Sequence, residues 1–172
     1  PMTQAITDYF ALDAQNKQQF METVTSAYLA YPRNVNEAMF NLLESHDTTR
    51  LISLCGNDLR RAKLAYLFMF TQAGAPCIYY GGEVAMEGRK GMGLEDNRRC
   101  MNWAPNQTEL DFKAFIEQLI ELRKGDDSFN QPYIDWLETH HPTVVGYQRG
   151  SRRFLINNSD SPANVTLDNR DI

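Results

Sequence analysis

The stretch NLLESHDTTR, residues 41–50, sets a serine, a histidine, two carboxylates and an arginine directly behind a short apolar run. Three chemistries use such groups. Ser45, His46 and Asp47 contain the members of a hydrolytic triad, but consecutive residues on an extended chain point to alternate sides and cannot pass a proton in series. A metal site needs further ligands at a defined spacing, and no second histidine supplies one. His140 and His141, followed by Pro142, fall where a sheet should turn. What remains is binding: an imidazole that donates to one hydroxyl and a carboxylate that accepts from two suit a polyhydroxylated ring such as a sugar. Two plainer roles stay open, His46 as a satisfied loop histidine and Asp47 as the N-cap of a helix over TTRLISL.

The surrounding elements must place this pair. AMFNLL (38–43) and PCIYY (76–80) are short apolar runs that read as strands buried on both faces. Spaced apolar residues predict helices over 3–12 and 18–29. Asn57 or Asp58 can cap a helix running through LRRAKLAYLFMFTQA to Gly74. Thr108 with Asp111 resembles a capping box, after which Phe112, Phe115, Ile116, Leu119 and Ile120 share one helical face. Strand, helix, strand, helix means parallel strands with crossover helices. Both long loops, 44–57 and 81–107, leave the carboxyl ends of the strands, the edge where β/α folds bind ligands. After Gly125 the pattern changes to YIDWLETH, TVVGYQRG, RRFLINNS and ANVTLD, as in an antiparallel sheet. The expected division is 1–127 and 128–172.

Composition excludes several partners. With 17 Lys and Arg scattered among 22 acids and a net charge of −5, there is no basic stripe for nucleic acid. The longest apolar run, 64–70, falls far short of the roughly 20 residues of a membrane span. Cys55, Cys77 and Cys100 show no CxxC spacing, which argues against a zinc site or a disulfide framework and for a reducing compartment. The first residues lack the charged lead and apolar core of a signal peptide. A cytoplasmic location with no metal or cofactor is the expectation.

FNLLESHDTTR resembles the seventh-strand segment of the alpha-amylase family, glycoside hydrolase family 13, and GAPCIYYGGE its eighth-strand segment, usually Gly-x-Pro-x-Ile-Tyr-Tyr-Gly-Asp-Glu. NRRCMNW, LIELRK and the leading PMTQAITDYF are similar to neighbouring stretches. Ser45 ahead of His46, together with CMNW, most resembles neopullulanases, cyclomaltodextrinases and maltogenic amylases. The likeness covers nearly the whole chain.

This resemblance implies an α/β fold: the last quarter of a (β/α)8 barrel, from helix six to helix eight, followed by the start of an antiparallel β-sandwich. It implies a parent glycosidase that cleaves α-1,4-linked glucans or cyclodextrins with retention. Asp47 would be the transition-state stabiliser holding the 2- and 3-hydroxyls, His46 would bind the same glucose, and Arg98 would be a subsite contact or a structural arginine. The nucleophile and general acid, about 5 to 5.5 Å apart in retaining enzymes, come from strands four and five in this family. Neither strand is in this chain, so the chain alone is expected to be inactive and to self-associate through exposed barrel edges. Gly82 stands where the family has Asp, which loosens a turn and removes a charge partner; Leu94 stands where relatives have another Asp. These two departures leave a second reading, a non-catalytic relative kept for carbohydrate binding or assembly. Glu83 is expected to be structural and paired with an arginine, Tyr79 and Tyr80 to be core, and Trp103 to pack rather than stack on sugar. Arg50 is either a loop anchor or an orienting partner for a carboxylate.

Overall fold

The computed structural model describes residues 1–91 and 95–167. The first half is helical, with α1 (Met2–Phe10), α2 (Lys17–Leu29) and the short α3 (Arg33–Glu37) leading into strand β1 (Phe40–Leu42). A brief α4 (Leu51–Leu54) and then α5 (Leu59–Phe70) lead to β2 (Ala75–Cys77), and α6 (Gln107–Lys124) follows the second long loop. β1 and β2 pair in parallel, with Phe40 opposite Ala75, Asn41 opposite Pro76 and Leu42 opposite Cys77. This is the strand, helix, strand, helix order expected of a β/α unit.

Helix ends follow the capping chemistry, with one shift. Asp58 caps α5 by accepting from the Arg60 N–H at 2.8 Å. The box expected at Thr108 and Asp111 forms two residues earlier. Asn106 accepts from the Glu109 N–H at 3.1 Å, and Glu109 accepts from the Asn106 N–H at 2.6 Å. Asparagine is among the strongest N-caps and comes first along the chain; Asp111 then lies inside the helix, accepting from Gln107. Helix α5 stops short of Gly74, and the Thr71 hydroxyl caps its end by donating to the Phe68 carbonyl at 2.9 Å. Gly74 sits at φ +93°, where a Cβ would also strike the Met39 carbonyl oxygen, so glycine is required there. That close approach lets the Ala75 N–H donate to the same carbonyl at 2.7 Å and start the ladder.

Strand β1 is not buried on both faces. Asn41 turns inward and donates to the Ala73 carbonyl at 2.6 Å, while Phe40 is 63% exposed. The reason is that the parallel ladder has only two strands among the described residues.

Past the 3-10 turn Asp127–Asn130, strands β3 (Asp135–Leu137), β4 (Val144–Arg149) and β5 (Arg152–Asn157) form an antiparallel meander in the order 3-4-5. His140 and His141 lie in the β3–β4 connection. The ANVTLD run forms no strand over its described residues 163–167. One core joins helices and meander: Phe68 of α5 meets Phe10, Phe20, Trp136 and Tyr147 with ring centroids 5.0 to 6.5 Å apart. Among the described residues no helix is long and apolar enough to cross a membrane.

Candidate functional site

Because β1 and β2 are parallel neighbours, the loops after Leu42 and Cys77 rise from the same edge and pack together. The first loop makes a tight turn at residues 45–48. The Ser45 N–H donates to the Thr48 hydroxyl at 2.8 Å, and the Asp47 N–H donates to the Ser45 hydroxyl at 3.1 Å. A turn, unlike an extended chain, lets adjacent side chains meet. His46 Nε2 lies 3.0 Å from Asp47 Oδ2, and both side chains are about three-fifths exposed at the rim. The premise that they point apart therefore fails, although the serine is still engaged by backbone and no triad forms. Asp47 does not cap a helix; α4 starts at Leu51 with no side-chain cap from Arg50.

Arg98, from the second loop, approaches Asp47 at 3.5 Å, and Lys90 does so at 3.8 Å. The three proposed site residues thus gather in one place. Exposed pairs of this kind contribute roughly 0–1 kcal/mol each to stability, so the cluster's value lies in presenting donors and an acceptor to solvent. Arg98 also donates from Nε to the His46 carbonyl at 3.0 Å and pairs with Glu95 at 2.8 Å.

What holds this rim rigid lies beneath it. Arg50 has no exposed side-chain surface. Its Nη1 donates to the Tyr80 carbonyl at 2.6 Å and to Glu44 Oε1 at 3.3 Å, and its Nε donates to the Asn97 carbonyl at 2.9 Å. The guanidinium lies over the Tyr79 and Tyr80 rings, 4.2 and 4.8 Å from their centroids. Glu44, itself buried, also accepts from the Leu51 N–H at 2.5 Å, satisfying an orphan donor at the start of α4. Asn97 completes the lock, donating to the His46 and Thr48 carbonyls at 2.7 and 2.9 Å. Arg50 is therefore both loop anchor and carboxylate partner. Burial pushes the Glu44 carboxyl upward, and the Leu51 N–H and Arg50 pull it back.

Tyr79 and Tyr80 are not core: Tyr79 is half-buried and Tyr80 40% exposed, and their rings lie along the Arg50 guanidinium rather than in the apolar cluster. Trp103 packs on little, at 87% exposed. Glu83 pairs with no arginine among the described residues and lies near Glu44 and Tyr66. Gly82 is buried at the start of the 3-10 segment Gly82–Val84, and the buried Arg50 nearby pairs with Glu44. Leu94 lies outside the described residues. Glu44 and Asn97 were not singled out from the sequence. Glu44 had a signal, a charge set directly at the end of an apolar run; Asn97 had none. Among the described residues no group of three or more His, Cys, Asp or Glu is placed to hold a metal.

Comparison with known proteins adds the wider context. A family model described as the alpha amylase catalytic domain matches residues 2–171. The chain is 41% identical over 173 residues to a cyclomaltodextrinase of Geobacillus thermopakistaniensis, covering 97% of this chain and 29% of that protein. It is 35% identical over 137 residues to an intracellular maltogenic amylase of Bacillus subtilis, covering 79% of this chain and 23% of the relative. A solved cyclomaltodextrinase superposes with a TM-score of 0.81 at 34% identity, over 91% of this chain and 27% of that one. The chain spans less than a third of the length of these relatives. With the parallel unit, the rim and a match of this extent in agreement, the chain belongs to the alpha-amylase family.

Proposed function

We propose that the chain is the C-terminal part of a retaining glycosidase acting on α-1,4-linked glucans or cyclodextrins. On this reading residues 1–127 close a (β/α)8 barrel and residues 128–172 begin a C-terminal all-β domain. Asp47 stabilises the oxocarbenium-like transition state through the sugar 2- and 3-hydroxyls, His46 donates to the same ring, and Arg98 contacts a neighbouring subsite. The observation that carries it is the exposed His46–Asp47 pair on the carboxyl edge of parallel strands, with Arg98 alongside. The names of the relatives, cyclomaltodextrinase and maltogenic amylase, support the substrate class. This part of the chain supplies no cofactor, works in the cytoplasm and, taken alone, self-associates through the free edges of its two-stranded ladder.

The non-catalytic reading drew on Gly82 and Leu94. Glu44, which pairs with Arg50 beside position 82, weighs against the first. The test uses the protein with the whole barrel present. Asp47→Asn should lower kcat/KM on a cyclodextrin about 10²–10³-fold, since hydrogen bonds that strengthen in the transition state supply several kcal/mol. His46→Ala should cost less. An Asp47→Asn enzyme within threefold of the parent would overturn the assignment. The 172-residue chain should release no sugar from maltooligosaccharides, and any turnover by it would refute the fragment reading.

A further inference from the structure

We propose that Glu44 and the residue at position 82 compete for one buried carboxylate position, and that Glu44 is the positioning residue that sets Arg50 and, through it, the turn bearing His46 and Asp47. The inference stands on the clamp beneath the rim and not on what the rim binds, so it survives or fails independently of the sugar reading.

A Cβ built on Gly82 would lie 2.6 Å from Glu44 Oε1, 2.7 Å from the Tyr66 hydroxyl and 3.2 Å from Ile78 Cγ2. The backbone at 82 does not require glycine for its torsions; the positive φ belongs to Gly81, at +81°. Glycine stands at 82 because the Glu44 carboxylate already fills the space a side chain would enter. Glu44 reaches that space from the end of β1, across the loop, whereas residue 82 would reach it from the second loop directly. The surroundings are short of acceptors. Among the described residues the Tyr66 hydroxyl and Arg50 Nη2 are buried with no hydrogen-bond partner, and the Tyr66 hydroxyl faces the same spot. An aspartate at 82 would put its carboxyl group beside that hydroxyl and in the region where Arg50 now meets Glu44. Two carboxylates there would repel in a desolvated site, and none would leave Arg50 buried without a counter-charge. One is the stable number, and either loop can deliver it.

The link to the rim is short. Arg50 follows Asp47 by three residues, and its guanidinium is shared between Glu44 and the carbonyl of Asn97, whose side chain grips the His46 and Thr48 carbonyls. Displacing Arg50 therefore displaces the turn that holds His46 and Asp47.

The experiment compares Glu44→Ala, Gly82→Asp and the double variant Glu44→Ala/Gly82→Asp in the full 172-residue chain. Thermal unfolding and the ¹H–¹³C ring resonances of His46 are the readouts. Each single substitution should lower Tm by about 6–20 °C and shift the His46 resonances. The double variant should regain at least half of the larger Tm loss and return His46 to its original positions. A double variant no more stable than the worse single variant overturns the proposal, as does Glu44→Ala with Tm and His46 unchanged. Recovery of Tm with His46 still displaced overturns the positioning role. If both single variants are insoluble, a soluble, folded double variant supports the shared position and an insoluble one refutes it.

Discussion

Replacing Arg50 by methionine tests the clamp from its cationic side. Methionine keeps the apolar stem of arginine as far as the position of Nε but removes the charge and all five donors. The substitution strands Glu44, 3% exposed, without its counter-charge. It also orphans the Tyr80 and Asn97 carbonyls that Arg50 now satisfies at 2.6 and 2.9 Å. Breaking a buried pair by deleting one partner costs about 3–5 kcal/mol, a large part of the roughly 5–15 kcal/mol that holds a domain together. For a chain of this size the matching fall in Tm is about 6–20 °C. The defect also carries a pH signature. Burial already raises the Glu44 carboxyl, and Arg50 supplies two of the influences that pull it down. Without Arg50 the folded value climbs further. A carboxyl whose folded value lies above its unfolded value favours folding at low pH, and that contribution is lost as pH rises through the folded value. The deficit of Arg50→Met relative to the parent should therefore be smaller at pH 5 than at pH 8, measured by urea unfolding at each pH. A deficit below about 1 kcal/mol, or one equal at the two pH values, refutes the clamp. Arg50→Lys should recover part of the loss, because an ammonium can neutralise Glu44 but lacks the planar fork that spans three acceptors.

Phe68→Ala, at the centre of the shared aromatic core, should cost about 3–5 kcal/mol and change the fluorescence of Trp136, which stacks on that ring. Cys55, buried and pushed up to about 12, should resist a thiol reagent at pH 8 until the chain is unfolded, while exposed Cys100 reacts at once; labelling of Cys55 in native protein would contradict the burial. The Ser128 hydroxyl and then Arg152 hold the Asp126 carboxyl below its ordinary 3.8. Its stabilising contribution is thus present above that pH and lost as pH falls through the folded value, so Asp126→Asn should flatten the acid limb of the stability curve. Gly74→Ala forces φ +93° on a residue with a Cβ and drives it into the Met39 carbonyl; circular dichroism should show a lower melting temperature.

Local signals carried a good deal of this protein. The apolar runs around Asn41 and Cys77, the cap at Asp58 and the stop near Gly74 are written within a few residues of where they act, so the parallel β/α unit was legible. So was the His46–Asp47 pair, because a histidine and an acid at the end of a strand stand out against an apolar run. The capping box slipped from Thr108 to Asn106 because two adjacent signals competed and the earlier, stronger cap prevailed. The exposure of Trp103 and Phe40 was not legible, since burial depends on which neighbours arrive.

Sequence alone thus determined the main helices, the parallel pair of strands, their order and the pair of side chains at the edge, each governed by residues close together in the chain, but not α3 or the absence of a strand at 163–167. The tertiary structure decided that Glu44, Arg50 and Asn97 lock the two loops and that a glycine at 82 makes room for a carboxylate from position 44. Those contacts join residues 6 and 47 positions apart in one case and bring strand and loop together in the other. A side chain's role there is set by the groups that folding brings within a few ångströms of it, and the distances that decide it exist only once the chain has closed.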